Sequence, residues 1–192
     1  MKVNCVFFLL IGSLIMLFSC KSQDYARHLE LSFLFYKAQR SSNQIFWHHD
    51  SMLDPGYDVG TDLTGGYYDA GDNCKFNFPE AGVLTLIAWS GIEFKKGYEK
   101  AGQYEYLLDM IKLGTDFFIK CHPEKYEFYF QVGNGNIDHG FLYPPEFINY
   151  EYPSYKVDKD HLGLKLLEKL LLYLPFHLYY LRIPILLILI LY

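Results

Sequence analysis

Residues 67–78 read Tyr-Tyr-Asp-Ala-Gly-Asp-Asn-Cys-Lys-Phe-Asn-Phe and divide the chain into two helical parts. Two carboxylates, Asp69 and Asp72, stand three positions apart behind the glycine-rich stretch 64–66, and two tyrosines come directly before Asp69. An acid pair in an aromatic setting suits hydrolysis of a glycosidic bond, because one carboxylate must hold or deprotonate a water molecule. This stretch is therefore the first candidate for a functional site.

Helical periodicity lies on both sides of this stretch. Residues 24–40 place Ala26, Leu29, Phe33 and Tyr36 on one stripe. The segment from Pro79 to Gly97 predicts a second, largely buried helix, since proline is accepted in a first helical turn. Residues 98–121 show the clearest pattern, at three- and four-residue steps: Leu107, Met110, Ile111, Gly114, Phe117, Phe118 and Cys121.

The remaining segments favour loops over strands. Residues 45–78 are rich in Gly, Asp and Pro, which predicts a long loop region, and its acids and aromatics indicate that the loop is functional. Residues 126–132 form a short, aromatic, strand-like segment, followed by turn residues at 133–136. Long apolar helices that alternate with such loops predict an all-α domain.

Composition limits the possible partners. With 192 residues and 51% apolar content, the chain can build one core. A net charge of −5 gives no sign of a nucleic-acid partner. Aromatic residues make up 19% of the chain, and any one ring can belong either to an aromatic core or to a cleft that stacks on sugars.

The first residues are typical of an export signal. Lys2 supplies a positive charge, residues 5–18 are apolar apart from Gly12 and Ser13, and residues 20–23 are polar. The apolar run is too short for a comfortable membrane span. It predicts a signal peptide over residues 1–22 and a secreted protein. Residues 17–20 also resemble a bacterial lipoprotein site, against which the bulky Phe18 argues.

Two cysteines, Cys74 and Cys121, remain after the signal region. They could pair in an oxidising compartment, but two cysteines do not make a disulfide framework in a domain of this size. Neither has a second ligand at the spacing of a metal site. We therefore expect buried free thiols, and no metal or cofactor.

Residues 62–73, Asp-Leu-Thr-Gly-Gly-Tyr-Tyr-Asp-Ala-Gly-Asp-Asn, resemble the signature of glycoside hydrolase family 9, the inverting endoglucanases. The resemblance continues in ordered blocks from about Asp24 to about Asp158; they include residues 35–41, 114–117, 131–133, 138–140 and 155–158. It implies an (α/α)6 barrel, two concentric rings of six helices. Residues 23–161 would be the N-terminal part of that catalytic domain, incomplete in this chain.

The resemblance also implies roles for individual residues. Asp72 matches the general base that activates water, Asp69 the residue that helps to hold it, and His139 a cleft histidine that hydrogen-bonds a sugar. Because neighbouring carboxylates repel, one of the two acids should have a raised pKa. The alternative is that neither acid is catalytic: Asp69 caps a turn and Asp72 is solvated. The family commonly has a tryptophan platform where this chain has Leu142, and no role is assigned to His48 or His49.

The second carboxyl of an inverting enzyme, its general acid, lies roughly 6.5–9.5 Å across the scissile bond. In the family this acid is a glutamate hundreds of residues further on, so this chain is expected to lack it. The full-length form is expected to hydrolyse β-1,4-glucosidic bonds in cellulose or related β-glucans. The alternative is a catalytically inert truncated product or a weak glycan-binding protein.

Composition changes abruptly after residue 161. Residues 162–192 are dominated by Leu, Ile and Tyr, but prolines, His177 and Arg182 interrupt them, so no stable membrane span is expected. The family continues here with Ala-Gly-Glu-Thr-Ala. Codons GCT GGA GAA ACT GCT, read one base late, give Leu-Glu-Lys-Leu-Leu, the sequence of residues 167–171. We interpret residues 162–192 as a frameshifted or aberrant tail.

Overall fold

The computed structural model describes residues 24–41 and 49–160. The predicted signal peptide over residues 1–22, His48 and the tail over residues 162–192 lie outside the described residues, and their interpretations stay predictions. None of the helices in the described ranges is long and apolar enough to cross a bilayer.

Helices dominate the described part, and a small sheet accompanies them. The elements in chain order are α1 (Tyr25–Ala38), a 3-10 turn (Tyr57–Val59), β1 (Lys75–Phe76), α2 (Asn77–Glu93), α3 (Lys95–Lys100), α4 (Tyr104–Lys120), β2 (Phe128–Val132), α5 (Gly135–Asp138), a second 3-10 turn (Pro145–Phe147) and β3 (Ser154–Val157). The helical prediction is confirmed in its main part.

Helix α1 begins where the carboxylate of Asp24 accepts a hydrogen bond of 3.0 Å from the backbone N–H of Arg27. Such a cap satisfies one of the free N–H groups of a first turn. Phe33 is buried, and Leu29 and Tyr36 pack against the core beside it. These three residues confirm the predicted stripe from Leu29 onward, whereas Ala26, its first predicted member, is exposed.

Helices α2 and α4 run antiparallel and pack through two glycines. A Cβ atom at Gly91 would lie 2.3 Å from Leu107 Cδ2, and one at Gly114 would lie 2.1 Å from Leu84 Cδ1. Each leucine thus fills a space that only glycine leaves open, a contact that we call a glycine socket. The two sockets point in opposite directions and bring the helix axes close together.

The predicted helix boundaries between α2 and α4 are wrong. Gly97 does not end a helix: α2 ends at Glu93, and Gly97 lies inside α3. Helix α3 stops at Lys100 because Gly102 adopts a left-handed backbone with φ +68°, as glycine commonly does after a helix. The helix predicted over residues 98–121 therefore begins only at Tyr104, as α4.

Helix α2 is less buried than its apolar sequence predicts. Helix α4 covers one face, on which Leu84 and Gly91 are buried. Val83, Leu86 and Ile92 lie on other faces and are exposed, Leu86 and Ile92 by more than half. The prediction of a largely buried helix is therefore wrong for the part of the chain that the structure describes, where packing partners cover one face of α2.

The described part is mostly helical, as predicted, and has a small three-stranded antiparallel sheet in addition. Strand β2 confirms the strand-like segment predicted at 126–132 and lies between β1 and β3. Lys75 pairs with Val132 in this sheet. This register brings the end of the acidic loop next to the turn that leads into α5. A Cβ atom at Gly133 would lie 2.6 Å from Cys74 Sγ, so the two segments approach at van der Waals distance.

The glycine sockets give a test of the α2–α4 packing. Gly114→Ala should destabilise the fold by roughly 1–3 kcal/mol, because the new methyl group overlaps Leu84 and the helices must separate. The matched control is Gly97→Ala, at a helical glycine with open space around it. It should stabilise by up to about 1 kcal/mol through helix propensity. Urea unfolding followed by circular dichroism measures both, and equal effects would contradict the packing.

Candidate functional site

The glycine-rich loop before the acid pair is held by a buried lysine. Lys75, whose side chain is fully buried, donates hydrogen bonds to the carbonyl oxygens of Leu63 at 2.9 Å and Gly65 at 2.7 Å. Ser41 Oγ donates to the same Gly65 oxygen at 2.7 Å. Gly66 has φ +72° and lies so close to Phe117 that a Cβ would clash at 2.5 Å. The glycines therefore allow a fixed conformation and a close approach.

Lys75 and Glu80 are two buried ionisable groups behind the acid pair. Burial lowers the pKa of Lys75 to about 8 and raises that of Glu80 to about 8. Glu80 Oε1 accepts the backbone N–H of Tyr67 at 3.2 Å, while Oε2 is buried and has no hydrogen-bond partner among the residues that the structure describes. Nothing in the local sequence pattern singled out either residue, because Lys and Glu are ordinarily surface residues.

The two tyrosines before the acid pair are structural. Tyr67 OH donates to the Met110 carbonyl at 3.0 Å, and Tyr68 OH shares a 2.8 Å hydrogen bond with Ser51 Oγ. Both rings are buried, and burial raises both pKa values. These rings belong to the core, which is one of the two possibilities open for any aromatic residue here. They fix the backbone immediately before Asp69.

Asp69 and Asp72 lie in one tight turn. The backbone N–H of Asp72 donates to the Asp69 carbonyl at 2.7 Å, and the N–H of Asp69 donates to the Cys74 carbonyl at 3.0 Å. Between the two acids, Ala70 has φ +46°, a left-handed conformation that is strained for a residue with a side chain. The pKa of Asp69 is raised, first by burial and then by the charge of Asp72. The raised pKa expected for this pair thus falls on Asp69.

His139 reaches the acid pair from a distant part of the chain. Its Nε2 lies 3.1 Å from Asp72 Oδ2, across 67 residues of sequence. The His139 side chain is 60% exposed and that of Asp72 22%. The hydrogen bond to Asp72 and its negative charge raise the pKa of His139. The structure therefore brings together all three residues that the sequence predicted for the site.

Asp138 is a fourth residue at the site, and its neighbour in sequence is His139. Its buried carboxylate accepts the backbone N–H of Asn73 at 2.9 Å and the Asn73 side-chain amide at 3.1 Å. Tyr150 OH also donates to it. The sequence placed Asp138 only within a matching block, without a role. Its partners are distant in sequence, so spacing alone could not reveal them.

Asp72, Asp138 and His139 each offer a potential ligand atom, and these atoms lie within 4.8 Å of one another. Both carboxylate oxygens of Asp138 already accept hydrogen bonds from protein donors. A buried carboxylate that is satisfied in this way needs no cation to balance it. We therefore describe the group as a hydrogen-bonded cluster.

Aromatic surface surrounds the acids on two sides. A pocket of about 260 Å³ lies between α1 and α2, and its wall includes Asp69, Glu80 and the rings of Phe35, Tyr36, Tyr67, Tyr68 and Phe76. On the His139 side, the ring of Phe141 stacks between those of Tyr143 and Tyr150 at 5.9 and 5.7 Å. Leu142, between Phe141 and Tyr143 in sequence, is 97% exposed.

The cysteines are confirmed as buried free thiols. Cys74 and Cys121 are both inaccessible to solvent and unpaired with each other. Burial raises the pKa of each to about 12. Neither thiol is therefore activated as a nucleophile.

Comparison with known proteins gives one consistent result. The model of glycosyl hydrolase family 9 matches residues 25–169. Endoglucanase 4 of Bacillus sp. (strain KSM-522) is 45% identical over 141 residues, which cover 71% of this chain and 22% of that protein. Endoglucanase 14 of Arabidopsis thaliana is 46% identical over 147 residues, 74% of this chain and 30% of that protein. The chain thus spans less than a third of the length of these relatives.

Solved structures that resemble this chain also include an endoglucanase and a cellulase. The endoglucanase of the termite Nasutitermes takasagoensis superimposes with a TM-score of 0.71 at 44% identity, over 76% of this chain and 35% of that one. The cellulase Cel9M of C. cellulolyticum gives a TM-score of 0.68 at 38% identity, over 71% of this chain and 34% of that one. With the acid turn and its histidine in place and a family match over most of its residues, this chain belongs to glycosyl hydrolase family 9.

Proposed function

We propose that the complete protein hydrolyses β-1,4-glucosidic bonds in cellulose or a related β-glucan, with inversion at the anomeric carbon. Residues 23–161 would form the N-terminal part of an (α/α)6 barrel in a secreted enzyme. The observation that carries the proposal is the contact between His139 and Asp72, because Asp72 lies in the same turn as Asp69. The names of the relatives, which are endoglucanases, support the substrate class.

The proposed mechanism assigns roles to Asp72, Asp69 and His139. Asp72 accepts a proton from a water molecule that attacks the anomeric carbon, while Asp69 helps to hold that water. The glycosidic oxygen leaves with a proton from a carboxylic acid elsewhere in the complete protein, so the charges balance. His139 is exposed enough to donate to a sugar hydroxyl, and its contact with Asp72 keeps that carboxylate oriented.

The second candidate is a catalytically inert product or a weak glycan-binding protein. The exposed Leu142 favours it, since it offers no ring where the family resemblance implies a sugar platform. Equilibrium binding of cello-oligosaccharides to the 192-residue chain, with a parallel assay for cleavage, separates the two candidates. Binding without cleavage supports the second candidate for this chain.

Asp72→Asn should reduce activity of the complete protein by at least ~100-fold, because the amide cannot accept the proton of the attacking water. The release of reducing ends from a soluble cellulose derivative measures the effect. Asp116→Asn, at an exposed residue that pairs with Lys112 on α4, is the charge-matched control and should change activity little. An active enzyme whose Asp72→Asn variant keeps full activity would show that the base is wrongly assigned.

The pKa of His139 should lie above the ordinary value of 6.5. Its charged form is stabilised by Asp72, so Asp72→Asn should lower the pKa towards that value. Proton NMR of the histidine Cε1–H signals against pH measures both, and the signal missing in His139→Gln gives the assignment. A His139 pKa that Asp72→Asn leaves unchanged would mean that the two side chains do not meet in solution.

Leu142→Trp should strengthen binding of cello-oligosaccharides by about fivefold, as expected for about 1 kcal/mol of stacking on an aromatic face. Isothermal titration calorimetry measures the affinity. Leu108→Trp, which adds the same ring at an exposed position of α4, is the control. An equal gain in both variants would indicate nonspecific adhesion to the indole ring.

A further inference from the structure

We propose that Asp138 is a positioning residue: it holds Asn73, and through Asn73 it keeps Asp72 against His139. The catalytic meaning of this role rests on the proposed function, but the role itself is a statement about geometry. Asp138 touches neither of the proposed catalytic acids in the hydrogen bonds that the structure shows; it acts on the residue that follows Asp72.

The contacts of Asp138 are those of a rigid attachment. One oxygen accepts the backbone N–H of Asn73, and the other accepts the side-chain amide of the same residue. Two bonds to one residue fix its orientation as well as its distance. Tyr150 OH completes the set. Because the carboxylate is buried, water does not compete for these donors, and charge-assisted hydrogen bonds are strong in such surroundings.

The acid turn needs an external attachment. Residues 69–74 belong to no helix or strand, and β1 begins only at Lys75. Ala70 is held in a left-handed conformation, which persists only where surrounding contacts impose it. On the far side of Asp72, Asn73 is bound by Asp138. The strain and the attachment therefore lie on opposite sides of the proposed base.

The last residue of α5 and the residue that follows it contact the turn at adjacent positions. Asp138 binds Asn73, and His139, the next residue, binds Asp72. Two consecutive residues at the end of α5 thus bind two consecutive residues of the turn. If Asp138 loses its hold on Asn73, the contact between His139 and Asp72 loses its alignment. The pKa of His139 then reports on the position of Asp72.

The test uses the 192-residue chain and the pKa of His139 measured by NMR. Asp138→Asn keeps the size of the side chain and replaces one acceptor with a donor. Asn73→Ala removes the side-chain hydrogen bonds to Asp138 and to the Tyr143 carbonyl without changing any charge. Each should lower the pKa of His139 by about half or more of the shift that Asp72→Asn causes. Asn136→Ala replaces an exposed asparagine of α5. It is the matched control and should leave the pKa of His139 unchanged.

A double-mutant cycle separates positioning from the direct charge of Asp138, which itself acts on His139. In the Asp72→Asn background, Asp138→Asn should have clearly less effect than in the parent chain. Additive effects, or an Asn73→Ala variant with the parent pKa, would overturn the proposal. The outcome does not depend on catalysis: absent glucanase activity would sink the proposed function and leave this result standing. If Asp138→Asn does not fold, Asn73→Ala still decides.

Discussion

The hydrogen bonds of the buried Lys75 ammonium group are the interaction on which the other parts of the structure depend. It replaces its lost water with two carbonyl oxygens of the glycine-rich loop, and it lies 4.8 Å from the centre of the Phe117 ring on α4. Its backbone belongs to β1, whose pairing with β2 sets the position of α5. One side chain thus connects the loop, the sheet and a helix. Burial of such a charge is costly unless its donors are satisfied.

The same buried region moderates the electrostatics of the acid pair. Glu80 lines the pocket that also contains Asp69. Burial raises the pKa of Glu80, which favours the protonated form of this carboxyl group. The protonated form places no further negative charge beside Asp69. Desolvation thus lowers the electrostatic cost of an acidic residue behind the acid pair.

The local sequence pattern predicts those helices and strands whose burial on one face gives a regular spacing of apolar residues. The apolar stripe of α4 and the aromatic strand β2 were read correctly because burial on one face leaves a period in the sequence. The glycine that ends α3 was misplaced, since the sequence does not say which of Gly97 and Gly102 adopts a positive φ. The exposure of α2 was missed because an apolar helix does not reveal how many of its faces find partners. The small sheet was underestimated, since β1 has only two residues.

For the candidate site too, some residues could be predicted from the sequence and others only from the structure. The association of Asp69, Asp72 and His139 was predicted through ordered motifs, and the structure places the three together, whereas their catalytic roles remain proposals. Lys75, Glu80 and the contacts of Asp138 were beyond sequence reasoning. Each depends on a partner more than ten residues away or on burial that reverses the ordinary behaviour of an ionisable residue. Spacing carries no trace of such long-range contacts.

The reciprocal glycine sockets between α2 and α4 have a consequence for how this sequence can change over time. Leu84 is committed to Gly114, and Leu107 to Gly91. A larger residue at either glycine becomes acceptable only if the facing leucine shrinks, so each pair is expected to covary. The two pairs also share one helix separation, so a change that widens one socket loosens the other. Four positions in two helices are thus bound to drift together, although none of them touches the acids.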